Sequence, residues 1–276
     1  MNYIEFKAEY DPDQVSGDWL LAELTEVPFE SYVEEERAIV AYIPEDDYDE
    51  SWITSLELPD GVRCSVKTIK QVNWNAEWEK NFDPVTISDQ CIVRAPFHTL
   101  DQEYRYDIVI QPKMSFGTGH HATTSLMLQE MLSMDFENQS VLDMGTGTGV
   151  LAILAAWRGA KHVFAVDIDS WAYENSLENV DTNPDTDAIE VAQGDVSSIE
   201  GKEYHTILAN INKNIIRQDI GQYEKCLLPG GRLLISGVLF DDKEDVKQWA
   251  SDLGLVFDKE NQKDNWMMIS FYKNVD

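Results

Sequence analysis

From Val141 to Gly149 the chain reads Val-Leu-Asp-Met-Gly-Thr-Gly-Thr-Gly, an apolar run ending at Asp143 and followed by glycines at 145, 147 and 149. That pattern predicts a buried strand, then a turn sharp enough for a ligand to lie against bare backbone, with a helix opening at Val150. Eighteen residues after Gly149 a second apolar run ends in Asp167. A carboxylate at that place accepts hydrogen bonds from both hydroxyls of a ribose. An adenosine-bearing ligand suits this spacing, and two kinds fit it. Gly147-Thr148-Gly149-Val150-Leu151-Ala152 matches the G-x-G-x-x-A pattern of dinucleotide sites. Asp143, two residues ahead of the first glycine, would repel a diphosphate and welcome an ammonium group.

Three further places could do chemistry. Phe116-Gly117-Thr118-Gly119-His120-His121-Ala122-Thr123-Thr124 precedes a stretch that reads as a helix over 125–134. Its glycines let a loop fold over a ligand. Its threonines can cap the helix and offer hydroxyls and amides to a carboxylate. The histidine pair has no third ligand at useful spacing, so no metal is expected. Asp195, in Gln193-Gly194-Asp195-Val196, closes a third strand, where an aspartate also caps turns. Asn210, in Leu208-Ala209-Asn210-Ile211, ends a fourth, where a parallel sheet presents its ligand-contacting residues.

The elements that must position these residues follow from the pattern. Residues 141–144, 162–167, 189–192 and 206–210 are short, apolar and bounded by turn signals, with helical stretches between them, which implies a parallel sheet. A fifth strand is expected at 232–239, a helix at 241–253, and a closing strand pair at 255–259 and 266–272. The first 70 residues read differently: strand 3–8, a helix within 13–27 closed by Pro28, strands 29–36 and 38–43 about a turn at 34–37, a helix near 52–58 and strand 62–69. That β-α-β-β-α-β order is the split βαβ pattern of ferredoxin-like domains. Trp74, Trp78 and Phe82, at i, i+4 and i+8, predict a linker helix with one aromatic face. Short strands follow at 91–93 and 106–111. The expected division is a small domain at 1–70, the linker at 71–84 and a larger domain at 85–276.

Composition narrows the function classes. At 276 residues, 43% of them hydrophobic, the chain is long enough for two cores. It has no apolar run long enough to span a bilayer and no secretory pattern at its start, so a cytoplasmic protein without a membrane partner is expected. Cys64, Cys91 and Cys226 lie far apart and read as free thiols. The net charge is −30, and residues 1–60 hold 18 acidic residues against two basic ones, a net of −16. Such a surface repels a phosphate backbone, so no direct nucleic-acid binding is expected, whereas a basic protein would be drawn to it.

The triple D-x-G-x-G-x-G resembles the first motif of class I methyltransferases, whose sheets also end in a strand pair. More specifically, the chain resembles the methyltransferase family that modifies large-subunit ribosomal protein number eleven. That family carries a linker like Asn73-Trp74-Asn75-Ala76-Glu77-Trp78, a loop F-G-T-G-T-H-P-T-T, the glycine turn, a D-I-D after the second strand and A-N-I after the fourth. All five recur here in order over residues 73–211. The resemblance implies a Rossmann-like methyltransferase domain, mostly parallel with an antiparallel last strand, behind a small ferredoxin-like domain that holds the ribosomal protein. It implies S-adenosylmethionine as cofactor, held by Thr124, Gly145, Gly147, Gly149, Asp167 and Asn210, with Asp195 near the adenine amino group. The chain departs from the family at His120, at Ala122 where a proline is usual, and at Asn212-Lys213-Asn214, which lacks the proline that follows A-N-I.

Methyl transfer to an amine is an in-line displacement that needs a neutral nitrogen, whereas a free lysine titrates near about 10.4. Desolvation, alignment and loss of the proton to water can replace a dedicated base. Asn210 is the expected catalytic residue, accepting an N–H of the amine and aiming its lone pair. A nicotinamide oxidoreductase and a non-enzymatic nucleotide-sensing module are the competing readings. The expected oligomeric state is monomeric.

Overall fold

A computed structural model describes residues 2–56, 58–69, 82–113 and 115–275. The chain forms two compact units, 1–81 and 82–276. The expected linker helix at 71–84 lies almost wholly outside the described residues.

The small unit follows the order β1 (Tyr3–Glu9), α1 (Gly17–Leu24), β2 (Ser31–Glu35), β3 (Ala38–Pro44), α2 (Glu50–Ser55) and β4 (Arg63–Ile69). Its sheet runs β2-β3-β1-β4 and is antiparallel throughout. Alternation in β1 puts Ile4, Phe6 and Ala8 on one face, where they meet Leu20 and Leu24 of α1. Phe6 is fully buried and stacks on Phe29 at 5.6 Å between centroids, a burial of about 1.5–3 kcal/mol for such a side chain. Ser16 caps α1 through Trp19 N–H, so the helix starts four residues later than the apolar pattern alone suggests.

The large unit opens with β5 (Val85–Thr86), β6 (Cys91–Arg94) and β7 (Tyr106–Val109), a three-stranded sheet in that order. Helix α3 (Ala122–Met131) follows. Then β8 (Ser140–Met144), α4 (Val150–Trp157), β9 (His162–Asp167), α5 (Ser170–Thr182), β10 (Ile189–Gln193), β11 (Tyr204–Asn210), α6 (Lys213–Cys226), β12 (Leu227–Leu239), α7 (Lys243–Asp252), β13 (Leu255–Lys263) and β14 (Trp266–Lys273) complete it. The main sheet runs β10-β9-β8-β11-β12-β14-β13, and β14 alone runs opposite to the other six strands.

Neighbouring residues of each central strand serve opposite faces, which explains their unbroken apolarity. Val141, Val163 and Leu208 pack with α3 and α4; Leu142, Phe164 and Ile207 pack with Ile216, Ile220 and Tyr223 of α6. Strand order reverses at β8, between β9 and β11, and the crevice at the carboxyl ends of these strands is where open α/β sheets take ligands. Two of the shifted boundaries in the large unit have a clear local cause. Helix α3 begins three residues before the expected start because the His121 side chain caps it. Strand β12 begins at Leu227, its pairing with β11 shifting between Tyr204 and Thr206 to absorb Pro229-Gly230-Gly231.

Candidate active site

The turn after β8 is tied down from three sides. Asp143 is fully buried; its Oδ2 accepts from Thr146 Oγ1 at 2.7 Å and from Ala152 N–H at 3.2 Å. Burial pushes this carboxyl up to about 7 against those two hydrogen bonds, and Asp167 adds to the rise. Gly145 and Thr146 donate to Val166 C=O at 2.8 and 3.0 Å, and Gly147 N–H donates to Asp167 Oδ2 at 2.9 Å. From the third side, Thr148 N–H reaches Phe116 C=O at 2.9 Å and its hydroxyl reaches Gly117 C=O at 2.7 Å. The approach is so close that a Cβ on Gly147, where φ is 57°, would stand 2.2 Å from the Phe116 oxygen. Only glycine fits there.

Beside this turn lies a cleft of about 980 Å³. Gly145, Gly147, Asp167, Asp195 and Asn210 all line it, together with Thr123 of the first turn of α3. Asp167 uses one lone pair on each oxygen, for Gly147 N–H and for Asp169 N–H at 3.1 Å, and keeps one on each for a ligand's hydroxyls. Asp195 caps the 3-10 turn Val196–Ile199 by accepting from the hydroxyl and amide of Ser197, at 2.6 and 2.9 Å, and still faces the cleft. Those bonds hold its carboxyl below the usual carboxylate range.

Asn210 is the most telling. Its Nδ2 donates to Thr124 Oγ1 at 3.3 Å, while its Oδ1 is buried with no partner among the described residues. A buried acceptor left open at the wall of a cleft is ready for a donor that arrives with a ligand. An amide, moreover, stays neutral at every relevant pH.

Three residues with expected roles stand elsewhere. Gly149 is the N-cap of α4, and the position of its missing Cβ faces Ser176 at 3.4 Å, not the cleft. Thr124 is fully buried behind Asn210, so it reaches the cleft only through that amide. Asp143 turns its carboxylate into the loop, not toward an ammonium group in the cleft. Among the departures, Ala122 opens α3, His120 packs its ring 4.6 Å from that of Phe82, and Asn212 replaces the usual proline by capping α6 through Ile215 N–H at 3.2 Å.

Sequence reasoning missed the aromatic wall. His121 meets Trp266 at 4.7 Å and Phe116 at 5.1 Å between centroids, both edge to face, and all three line the cleft. Ile168 and Trp171, 72% and 70% exposed, stand at the rim. No local pattern marks Trp266, which reaches the cleft because β14 inserts next to β12. Gly237 carried a readable signal only in hindsight: β12 passes the Ala-Asn-Ile turn so tightly that a Cβ there would stand 2.2 Å from Ile211 C=O. Asp219 of α6 also faces the cleft, 6% exposed, with burial pushing its carboxyl up.

A sheet with its order reversed at β8, a glycine turn after the first of its strands, an acid after the second and a strand pair with one antiparallel member define the class I methyltransferase fold. A crystal structure of ribosomal protein L11 methylase from Lactobacillus delbrueckii subsp. bulgaricus shares that fold, with a TM-score of 0.62 at 22% identity over 69% of this chain and 98% of that one. The model of the family described as ribosomal protein L11 methyltransferase (PrmA) matches residues 9–274, and the chain belongs to that family. Relatives named ribosomal protein L11 methyltransferase include that of Bacteroides thetaiotaomicron, 42% identical over 279 residues covering 98% of this chain and 99% of the relative. That of Porphyromonas gingivalis is 41% identical over 284 residues, with 98% of each chain covered.

Proposed function

We propose that this protein transfers methyl groups from S-adenosylmethionine to amino groups of ribosomal protein L11, on lysine side chains and on a free N-terminal amine. The observation that carries this reading is Asn210, whose buried Oδ1 has no partner among the described residues, at the wall of a cleft whose other walls suit the cofactor. Gly145 and Gly147 offer bare backbone, Asp167 keeps lone pairs for ribose hydroxyls, and Asp195 with Ile168 would meet the adenine. When bound, the cofactor supplies a methyl group activated by its sulfonium.

The chain's residues prepare the amine. The wall of Phe116, His121 and Trp266 accepts the apolar stem of a lysine and excludes water, which favours the uncharged amine. Asn210 Oδ1 accepts one N–H and turns the lone pair toward the methyl carbon. The methyl group would come from the bound cofactor, and the amine's extra proton would leave to solvent. The small unit, ferredoxin-like in its element order and rich in carboxylates, is the substrate-holding part in this reading, and a cytoplasmic location suits it. Incubating the purified protein with S-adenosylmethionine and unmethylated ribosomal protein L11 tests the proposal by intact mass spectrometry. Mass increments of whole methyl groups that map to lysines or the N-terminal amine are expected. An unchanged mass, or heat of binding seen only with a nicotinamide dinucleotide, would overturn it.

A further inference from the structure

Helix α5 and its C-cap carry Asn175, Asn179 and Asn183 at four-residue spacing, 0%, 0% and 3% exposed. Amides so deep must find partners, and these find a strand edge. Val109 N–H donates to Asn183 Oδ1 at 3.0 Å and Val109 C=O accepts from Asn183 Nδ2 at 2.6 Å. Two residues on, Gln111 N–H donates to Asn179 Oδ1 at 2.7 Å and Gln111 C=O accepts from Asn175 Nδ2 at 3.1 Å. The match is one of repeats: four helical residues rise about 6 Å and two strand residues about 6.6 Å. A side-chain amide has the donor and acceptor of a peptide group, so α5 completes the open edge of β7 much as a neighbouring strand would.

Asn179 has a second attachment that Asn183 lacks. Its Nδ2 donates to Thr148 C=O, in the glycine turn, at 2.8 Å. Thr148 in turn holds Phe116 and Gly117, the segment that continues from Gln111. The helix that bears Asn179 starts three residues after Asp167. One buried side chain therefore links the glycine turn, the strand end that leads to Phe116, and the helix behind the ribose acid.

We propose that Asn179 is a positioning residue for the cofactor, fixing the glycine turn and the Phe116 segment in the spacing that S-adenosylmethionine needs. The inference rests on the reading of the cleft given above. The Asn179 amide donates to Thr148 C=O and accepts from Gln111 N–H at once. An aspartate keeps the second bond and loses the first, and a leucine loses both. The two cleft walls then shift apart, which weakens binding but leaves a bound cofactor facing the same Asn210.

Three variants, Asn179→Asp, Asn179→Leu and Asn183→Leu, test this by calorimetry with S-adenosylhomocysteine and by methylation rates at saturating cofactor. Both Asn179 variants should bind about tenfold more weakly or worse, as expected for one lost buried hydrogen bond, with kcat within a few-fold of wild type. Asn183→Leu should lower the melting temperature as much as Asn179→Leu yet bind normally, because its side-chain partners are Val109 and the Asn179 C=O and none lies in the glycine turn. Equal affinity losses at 179 and 183 would show a purely structural ladder and overturn the proposal, as would wild-type affinity in the Asn179 variants. Failure of the wild-type protein to bind S-adenosylhomocysteine would instead sink the cofactor reading itself. Should the Asn179 variants not fold, deuterium exchange of the wild-type protein decides. Ligand should slow the amides of Gln111 and Thr148 together, and protection confined to the glycine turn would overturn the link.

Discussion

In the proposed reaction Asn210 orients the amine and Asp167 binds the ribose, and substitutions should separate the two roles. In Asn210→Ala the open acceptor disappears and Thr124 Oγ1 loses its donor. Turnover should fall by roughly 10²-fold or more, the scale of a misplaced nucleophile, while cofactor affinity falls about tenfold, near the worth of one hydrogen bond. Asn210→Asp should be worse than its size suggests, because a carboxylate favours the unreactive ammonium. Single-turnover methylation at saturating cofactor checks this; wild-type rates in Asn210→Ala would rule out the orienting role. Asp167→Ala would remove the two proposed hydroxyl contacts and also release Gly147 N–H. Charge-assisted bonds of about 1.5–3 kcal/mol each imply a dissociation constant raised by at least 10²-fold. Calorimetry with S-adenosylmethionine would read that loss, and unchanged affinity would remove Asp167 from the ribose site. Both residues were legible in the sequence because each closes a strand in a parallel sheet. Gly149 and Thr124, expected beside them, are not among the residues that line the cleft. Three glycines at alternate positions look alike in sequence, but the last one starts a helix and faces Ser176.

At the level of elements, the glycine turn is held by an acid whose protonation should matter to folding. The folded carboxyl of Asp143 lies near about 7 through burial, well above its value in an unfolded chain. A raised carboxyl favours the folded state while it is protonated. Its contribution is fully present below the unfolded value, near about pH 4, and is lost as pH rises through about 7. Asp143→Asn has no proton to lose, so across pH 4–7 its stability should decline less steeply than that of wild type. Urea midpoints at four or five pH values in that window would show the difference, and parallel curves would mean that Asp143 does not titrate there. The order and type of the strands were readable from apolar runs and turn residues. The aromatic wall was not, since Trp266 joins His121 only through the insertion of β14 beside β12. The asparagine ladder was equally hidden, because three buried amides on a helix look like a polar face until a strand edge is laid against them.

The whole molecule carries two separately built cores. Among the described residues, the buried side chains of the small unit's core run from Ile4 to Ile43, and the large unit's core has two clusters, one beginning at Ile87 and one at Leu142. Every residue named as lining the cleft lies in the larger unit. Charge is divided unevenly as well: residues 1–60 hold −16 of the net −30 in about a fifth of the chain. These facts predict that residues 82–276 alone fold and bind S-adenosylhomocysteine with wild-type affinity. Methylation of ribosomal protein L11 should nevertheless fall sharply, through a KM raised about tenfold or more, because the acidic surface that draws a basic partner is gone. Salt supplies a second readout. Screening shortens to about 3 Å at 1 M ionic strength, so raising salt should increase the KM of the full chain toward that of the fragment. The fragment's own KM should barely respond. Full activity of the fragment at low salt would show that the small unit does not hold the substrate. A full chain insensitive to salt would show that it holds the substrate by contacts other than charge.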